Sequence, residues 1–290
     1  MFPDDIGPLS QPRRANLNFA GRSGLDPRQL PLHSNAKSRL IAAYLSMYQQ
    51  ITHGGLYIDG FAGPQKRHFQ EAWTARRVLE LEPKWLSQFW LCELEPTGLE
   101  ALRALKAKHD RMPRTRRVSV MAGDFNKTIP MILKSQRLRR NTPVFCLLDQ
   151  RNTECHWSSV RAIAARAGRN KIELLYFLGS SWMHRSLKGS ANPTRLREID
   201  LWWGGAEWRE LLQLSQVEVV RLMADRFAAE LGYHFVTPYP VFATEKGKKT
   251  VFYLIHASDH PEAPKLMNRA YRKIVGDIAG TPADSQRSFL

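Results

Sequence analysis

The chain has 290 residues with 43% hydrophobic content, enough for one sizeable core, and 43 Lys and Arg against 27 Asp and Glu give a net charge of +16. No apolar run approaches the roughly 20 residues that span a bilayer, and Met1-Phe2-Pro3-Asp4-Asp5 has no secretory-signal pattern. No membrane association and a cytoplasmic location are therefore expected, and three cysteines without a Cys-x-x-Cys spacing argue against a disulfide framework.

Residues 1–32 carry five prolines and little periodicity and read as an extended arm. A single domain is expected over residues 33–276, with a polar tail at 277–290. Ser34 or Asn35 can cap a helix whose Leu40, Ile41, Tyr44, Leu45 and Tyr48 share one face. Leu56 to Asp59 is a short apolar strand. A helix near Ala72–Leu81 and a strand from Phe89 to Leu94 follow. Pro96 opens a helix that buries Leu99, Leu102 and Leu105; Val118 to Met121 is the third strand, with a helix over Ile129–Leu138 behind it. Val144 to Asp149 is almost continuously apolar, as strands buried on both faces of parallel sheets are. Trp157–Ala167 is helical and Ile172–Leu178 is the fifth strand.

From about residue 180 to 213 this rhythm breaks, with Trp182, Trp202, Trp203 and Trp208. The stretch reads as an inserted element, and core packing, partner docking and base stacking remain open for its rings. A helix at Val217–Leu231 returns, and Tyr233–Val236 and Thr250–His256 form a final pair around the basic Lys246–Lys249 turn. Alternation of strand and helix predicts right-handed crossovers. The expected fold class is α/β, a Rossmann-like three-layer sandwich: a mostly parallel seven-stranded sheet of the class I methyltransferase type with one antiparallel strand.

In open sheets of this kind the ligand lies beyond the carboxyl ends of the strands. Acidic residues fall at four successive strand ends: Asp59, Glu93, Asp124 and Asp149. Asp59 is followed by Gly60-Phe61-Ala62-Gly63, whose glycines let the backbone turn and approach a ligand. Glu93 can accept hydrogen bonds from ribose hydroxyls, and Asp124 can receive an adenine amino group. Missing G-x-G-x-x-G and G-x-x-x-x-G-K-[ST] patterns argue against nicotinamide, flavin and P-loop nucleotide chemistry. Expected cofactor contacts are Asp59, Gly60, Phe61, Gly63, Glu93 and Asp124. In the loop after the fourth strand Asp149 can orient a nucleophilic nitrogen, Gln150 and Asn152 can read a polar edge, and Arg151 can bind a phosphate.

The positive charge clusters at Arg114–Arg117, Lys134–Arg140 and Lys246–Lys249, so Arg116, Arg117 and Lys248 are candidate phosphate contacts with nucleic acid. His256 and His260 are four apart, but Pro261 removes the helix that would align them, and no metal site is expected; Asp259 is expected to cap a helix opening at Pro261. Cys92 and Cys146 lie in apolar runs, and Cys155 stands between Glu154 and His156, which can tune a thiol.

Three segments, Tyr57-Ile58-Asp59-Gly60-Phe61-Ala62-Gly63-Pro64, Cys146-Leu147-Leu148-Asp149 with Trp157, and Phe252-Tyr253-Leu254-Ile255-His256-Ala257-Ser258-Asp259-His260-Pro261-Glu262-Ala263, resemble the three-Cys-motif partner protein family (TcmP). The resemblance runs from about His33 to Tyr271. It implies a bacterial, methyltransferase-like protein with S-adenosylmethionine as cofactor. It also implies a separately encoded companion, a protein with a three-cysteine motif typical of radical S-adenosylmethionine iron–sulfur enzymes. Two motifs depart from the family pattern. Gln65 follows Gly63-Pro64 where the family commonly continues with glycine, and Gln150-Arg151-Asn152 follows Asp149 where it commonly has Pro-Phe-Gly. Three functions are thus expected in competition: a methyltransferase on nucleic acid or a nucleotide-like substrate, a non-catalytic partner of the iron–sulfur companion, and a basic nucleic-acid-binding module without methyl transfer.

Overall fold

The computed structural model describes residues 34–64, 70–109, 116–138, 141–166, 171–179, 192–242 and 250–279, together with Gly168 and Leu187. The expected N-terminal arm, Gln65, Arg114, Trp182, Lys248 and the end of the expected tail lie outside the described residues. Helix α1 (Ser34–Thr52) leads into strand β1 (Gly55–Asp59), and a 3-10 turn (Gln70–Ala72) leads into α2 (Thr74–Leu79). Then come β2 (Leu86–Glu93), α3 (Pro96–His109), β3 (Arg117–Ala122), α4 (Phe125–Leu133) and β4 (Val144–Leu148). The chain continues through α5 (Trp157–Ala164), β5 (Glu173–Gly179), α6 (Pro193–Trp203), a second 3-10 segment (Ala206–Gln213) and α7 (Gln216–Ala229). It closes with β6 (Phe235–Phe242), β7 (Thr250–Ser258) and α8 (Ala263–Ala279), which runs past the boundary expected at residue 276.

The strands form one seven-stranded sheet in the order β3-β2-β1-β4-β5-β7-β6. Every pairing from β3 across to β5 is parallel, and β7 runs antiparallel to both β5 and β6. This is the expected Rossmann-like sandwich of the class I methyltransferase type. The chain builds outward from β1 to β3 and then returns to place β4 on the other side of β1. That reversal opens a crevice at the carboxyl ends of β1 and β4.

Successive side chains of a strand point to opposite faces, and both faces here are covered. Tyr57, Phe89 and Phe145 pack under α1, α2, α3 and α8; Ile58, Trp90 and Cys146 pack under α4, α5, α6 and α7. All five residues of β1 and of β4 are buried, which accounts for their continuous apolar character.

Two local expectations shift. Helix α4 begins at Phe125, well before Ile129, because the side chain of Asp124 accepts a hydrogen bond from the Asn126 amide at 2.9 Å and caps it there. Strand β6 continues through Pro238 and Pro240. Proline is tolerated on an edge strand, where one row of backbone groups needs no partner.

The described part of the tryptophan-rich insertion belongs to the core. Trp202, Trp203 and Trp208 are all buried. Trp202 Nε1 donates to the Tyr176 hydroxyl at 2.8 Å, and Trp208 Nε1 donates to Asp200 Oδ1 at 2.6 Å. The Arg226 guanidinium stands 4.1 Å from the Trp203 ring and 4.0 Å from the Trp157 ring. These three rings have no free face for a base or a partner.

Candidate functional site

β1 delivers Asp59 into the crevice at its carboxyl end. The residue is buried; its Oδ2 accepts from the Tyr57 hydroxyl at 3.0 Å and its Oδ1 from the Phe61 amide at 3.2 Å. Burial raises its pKa most, the charges of Asp149 and Glu93 add to that, and the two hydrogen bonds oppose it, leaving the carboxyl at about 7. The loop that follows is held by its neighbours: Gly60 N donates to Leu147 O at 2.9 Å and Ala62 N to Cys92 O at 2.8 Å. From the other side Trp73 Nε1 donates to Ala62 O at 2.6 Å. The Phe61 ring packs against Phe125 with centroids 5.5 Å apart. Strands β4 and β2, with Trp73, thus fix the loop's path before any ligand arrives.

Glu93 closes β2 and is almost fully enclosed at 8% exposure. Its Oε1 accepts from the amides of Leu94 and Glu95, each at 2.8 Å. Its Oε2 makes no hydrogen bond among the described residues, and it is not one of the enclosed atoms. Two glycines flank this carboxylate. A β-carbon built on Gly63 falls 1.8 Å from Oε2, and one on Gly98 falls 2.7 Å from the Glu93 Cγ. Gly98 was missed by the sequence reading; its signal is a glycine two residues into a helix, where helix propensity gives no reason for one. Gly60 is packed differently, with Leu148 and Phe125 carbons 3.1 and 3.2 Å from its would-be β-carbon.

Beside the loop lies a narrow cleft bordered by Lys37, Asp59, Phe61, Gly63, Asp149 and Arg151 among others. Within it Lys37 Nζ stands 2.7 Å from Asp149 Oδ1 and 2.6 Å from Oδ2. Both residues are buried. The ammonium also sits 4.8 Å from the Phe177 ring centroid and 5.7 Å from that of Phe252. These contacts leave Asp149 neutralised by a cation of the same chain. Lys37 is the principal residue the sequence reading missed, and at 112 positions from its partner on an otherwise ordinary helix, nothing local marks it.

The four strand-end carboxylates share one rim of the sheet but not one cleft. Asp59 and Asp149 border the cleft, whereas Glu93 and Asp124 do not. The Phe61–Gly63 loop stands between, with one side lining the cleft and Gly63 against Glu93. Asp124 serves as the cap of α4, its Oδ1 also accepting from the Asn126 side chain at 2.8 Å.

In the β4–α5 loop, Gln150 is buried and holds the backbone: its Nε2 donates to Phe177 O at 3.2 Å and its Oε1 accepts from Cys155 N at 2.9 Å. It therefore has no free amide edge with which to read a substrate, contrary to the expectation. Arg151 and Asn152 are exposed, and Arg151 stands at the cleft mouth.

The basic candidates divide likewise. Arg117 is exposed at the start of β3, but Arg116 is only 3% exposed and lies over the Phe89 ring at 4.5 Å. Burial lowers the Arg116 pKa to about 10. All three cysteines are free and buried, and burial pushes the Cys155 thiol up, away from reactivity. His256 belongs to β7, with Nε2 2.9 Å from Glu173 Oε1. Asp259 does not cap α8, which starts at Ala263; its Oδ1 instead accepts from the His234 amide at 3.0 Å. Among the described residues no group of three or more His, Cys, Asp or Glu is placed to hold a metal ion, and no helix is long and apolar enough to cross a membrane.

No protein-family model and no curated protein matches the chain. Among solved structures, the spermidine synthase of Thermotoga maritima is similar over 78% of this chain and 68% of its own, at 11% identity and a TM-score of 0.35. A likeness that faint carries no argument about chemistry, and the fold class rests on the strand order itself.

Proposed function

We propose that this chain binds S-adenosylmethionine at the carboxyl ends of β1 and β2 and acts as a methyltransferase on nucleic acid or a nucleotide-like substrate. The observation that carries this reading is the Glu93 carboxylate. One oxygen is anchored by two main-chain amides, the other is left without a partner, and both neighbouring backbone positions are glycine. A carboxylate fixed in that way is preorganised to accept from a ribose diol, and the bare α-carbon of Gly63 lets the loop pass beside it without a side chain striking Oε2. Fold alone does not choose the ligand; the unbonded oxygen supports a nucleoside.

The group, when bound, supplies an electrophilic methyl on its sulfonium. Glu93 holds the ribose, the Phe61–Gly63 loop supports the chain beyond it, and the cleft beside Asp59 and Asp149 receives the acceptor. Arg151, at the mouth, takes a phosphate of that acceptor. Asp149 acts by positioning, together with Lys37, because its two oxygens are already held. Isothermal titration with S-adenosylmethionine tests the reading: saturable binding that weakens on Glu93→Ala upholds it, and no heat at millimolar ligand overturns it.

One observation favours a second reading, a non-catalytic partner of a three-cysteine iron–sulfur protein. The Lys37–Asp149 pair occupies the place where an acceptor amine would be held. Co-purification with such a companion, with no methyl transfer by the complex, would establish that reading in place of the first.

A further inference from the structure

At the amino-terminal rim of the sheet, opposite the cleft, a second cavity lies among α1, α8 and the first residues of β4 and β5. Much of its wall is apolar or aromatic, from Tyr44, Tyr48, Ile51, Pro143, Val144 and Leu266. At about 60 Å³ it has several times the roughly 10–15 Å³ that one water needs, and with Ile51 exposed on its border it meets solvent.

Glu173, the first residue of β5, brings a carboxylate to this cavity. The residue is buried, and donors converge on it. The Tyr44 hydroxyl donates to Oε1, where His256 Nε2 also stands at 2.9 Å, and the Ser258 hydroxyl donates to Oε2 at 3.0 Å. A carboxylate offers about four lone-pair sites, so Oε2 keeps one open. Ser258 itself has no acceptance to spare for a ligand's head group, because the His260 amide donates to its oxygen at 3.1 Å.

Tyr48 borders the same space. It is only 5% exposed, yet its hydroxyl makes no hydrogen bond among the described residues and is not sealed off from the cavity. Burial and then the Glu173 charge push its pKa up, so the hydroxyl keeps its proton. Polar groups this deep are costly to leave unpaired, and an open carboxylate lone pair beside a phenol oxygen calls for a donor. The Lys171 ammonium on the border does not supply it, being held by the Leu231 and Gly232 carbonyls at 2.5 and 2.7 Å. Asp259 adds a second carboxylate to that border. An ammonium group has three donors and no acceptor, and the faces of tyrosine rings attract it as well.

We propose that this cavity binds a small primary amine, with its ammonium on Glu173 Oε2 and the Tyr48 hydroxyl and a short carbon chain against the apolar wall. The site is separate from the cleft at the carboxyl rim, and it does not depend on S-adenosylmethionine binding.

The test is ligand-observed saturation-transfer NMR on the full chain, titrated with n-butylammonium chloride at constant ionic strength. The uncharged counterpart is n-butanol, of the same chain length. The expected result is saturable binding of butylammonium, at least about tenfold tighter than that of butanol, as a charge-assisted hydrogen bond provides. Tyr48→Phe removes only an unbonded hydroxyl, so it should fold with its urea midpoint unchanged and bind butylammonium about threefold or more weakly. Glu173→Gln should bring the two ligands to equal affinity, and Tyr48→Phe covers the case in which Glu173→Gln does not fold. No saturable binding of butylammonium, butanol binding as tightly, or an affinity unchanged in Tyr48→Phe would overturn the proposal.

Discussion

The α-carbon of Gly63 sits so close to the Glu93 carboxylate that a β-carbon built on it would stand 1.8 Å from Oε2. The glycine and the acid therefore constrain each other. Gly63→Ala must displace either the loop or Glu93, and the loop is held by β2, β4 and Trp73. An overpacked site of this kind costs about 1–3 kcal/mol. The expected outcome is a lower thermal midpoint together with lost S-adenosylmethionine affinity, read by calorimetry on the same sample. Gly98→Ala, which presses on the Glu93 stem from α3, should act in the same direction.

Lys37 and Asp149 are buried together, so removing one leaves the other uncompensated. Breaking such a pair costs roughly 3–5 kcal/mol, whereas replacing both by apolar groups can be nearly neutral. Lys37→Met and Asp149→Leu should each lower stability in urea by about that much, and the double substitution should recover most of it. Additive losses would mean that the two side chains do not act as a pair in solution.

Asp59 gives the fold a pH dependence with a definite sign. Its carboxyl titrates at about 7 in the folded chain against 3.8 as the ordinary value, so between those values the folded state holds more protons than the unfolded one. Stability from this group is fully present below about 3.8 and is lost as pH rises through about 7. Asp59→Asn should remove that slope. Urea midpoints across pH 5 to 8 should fall less steeply in the variant than in the natural chain, and parallel curves would count against the assignment.

The described tryptophans of the insertion, Trp202, Trp203 and Trp208, are core residues, and Trp202→Ala should cost about 3–5 kcal/mol in a urea titration. A surface ring used for stacking would cost little stability and much affinity. If oligonucleotide affinity collapses while stability holds, the core assignment is wrong.

What the sequence discloses is periodicity, and periodicity fixed the sheet. The continuous apolar runs at Val144–Leu148 and Leu56–Ile58 mark strands covered on both faces, and both turn out fully buried. Boundaries were legible only where a cap or break is local. Asp124 capping α4 through Asn126 was legible in principle, yet the reading gave Asp124 to a ligand and started the helix too late.

Site geometry was legible in one dimension only. Strand-end position placed Asp59, Glu93 and Asp149 on one rim of the sheet, but no spacing reveals that the Phe61–Gly63 loop passes between Glu93 and the cleft. Lys37 was invisible because its partner is 112 residues away. Gln150 was misjudged because a polar residue in a loop gives no hint that Phe177 and Cys155 hold both ends of its amide.

Calorimetric titration of the full chain with S-adenosylmethionine tests the central claim most directly. The account predicts one saturable binding event, weakened at least about tenfold, or roughly 1.4 kcal/mol, in a folded Glu93→Ala variant. Absence of heat at millimolar ligand, or a natural affinity retained by that variant, would contradict it.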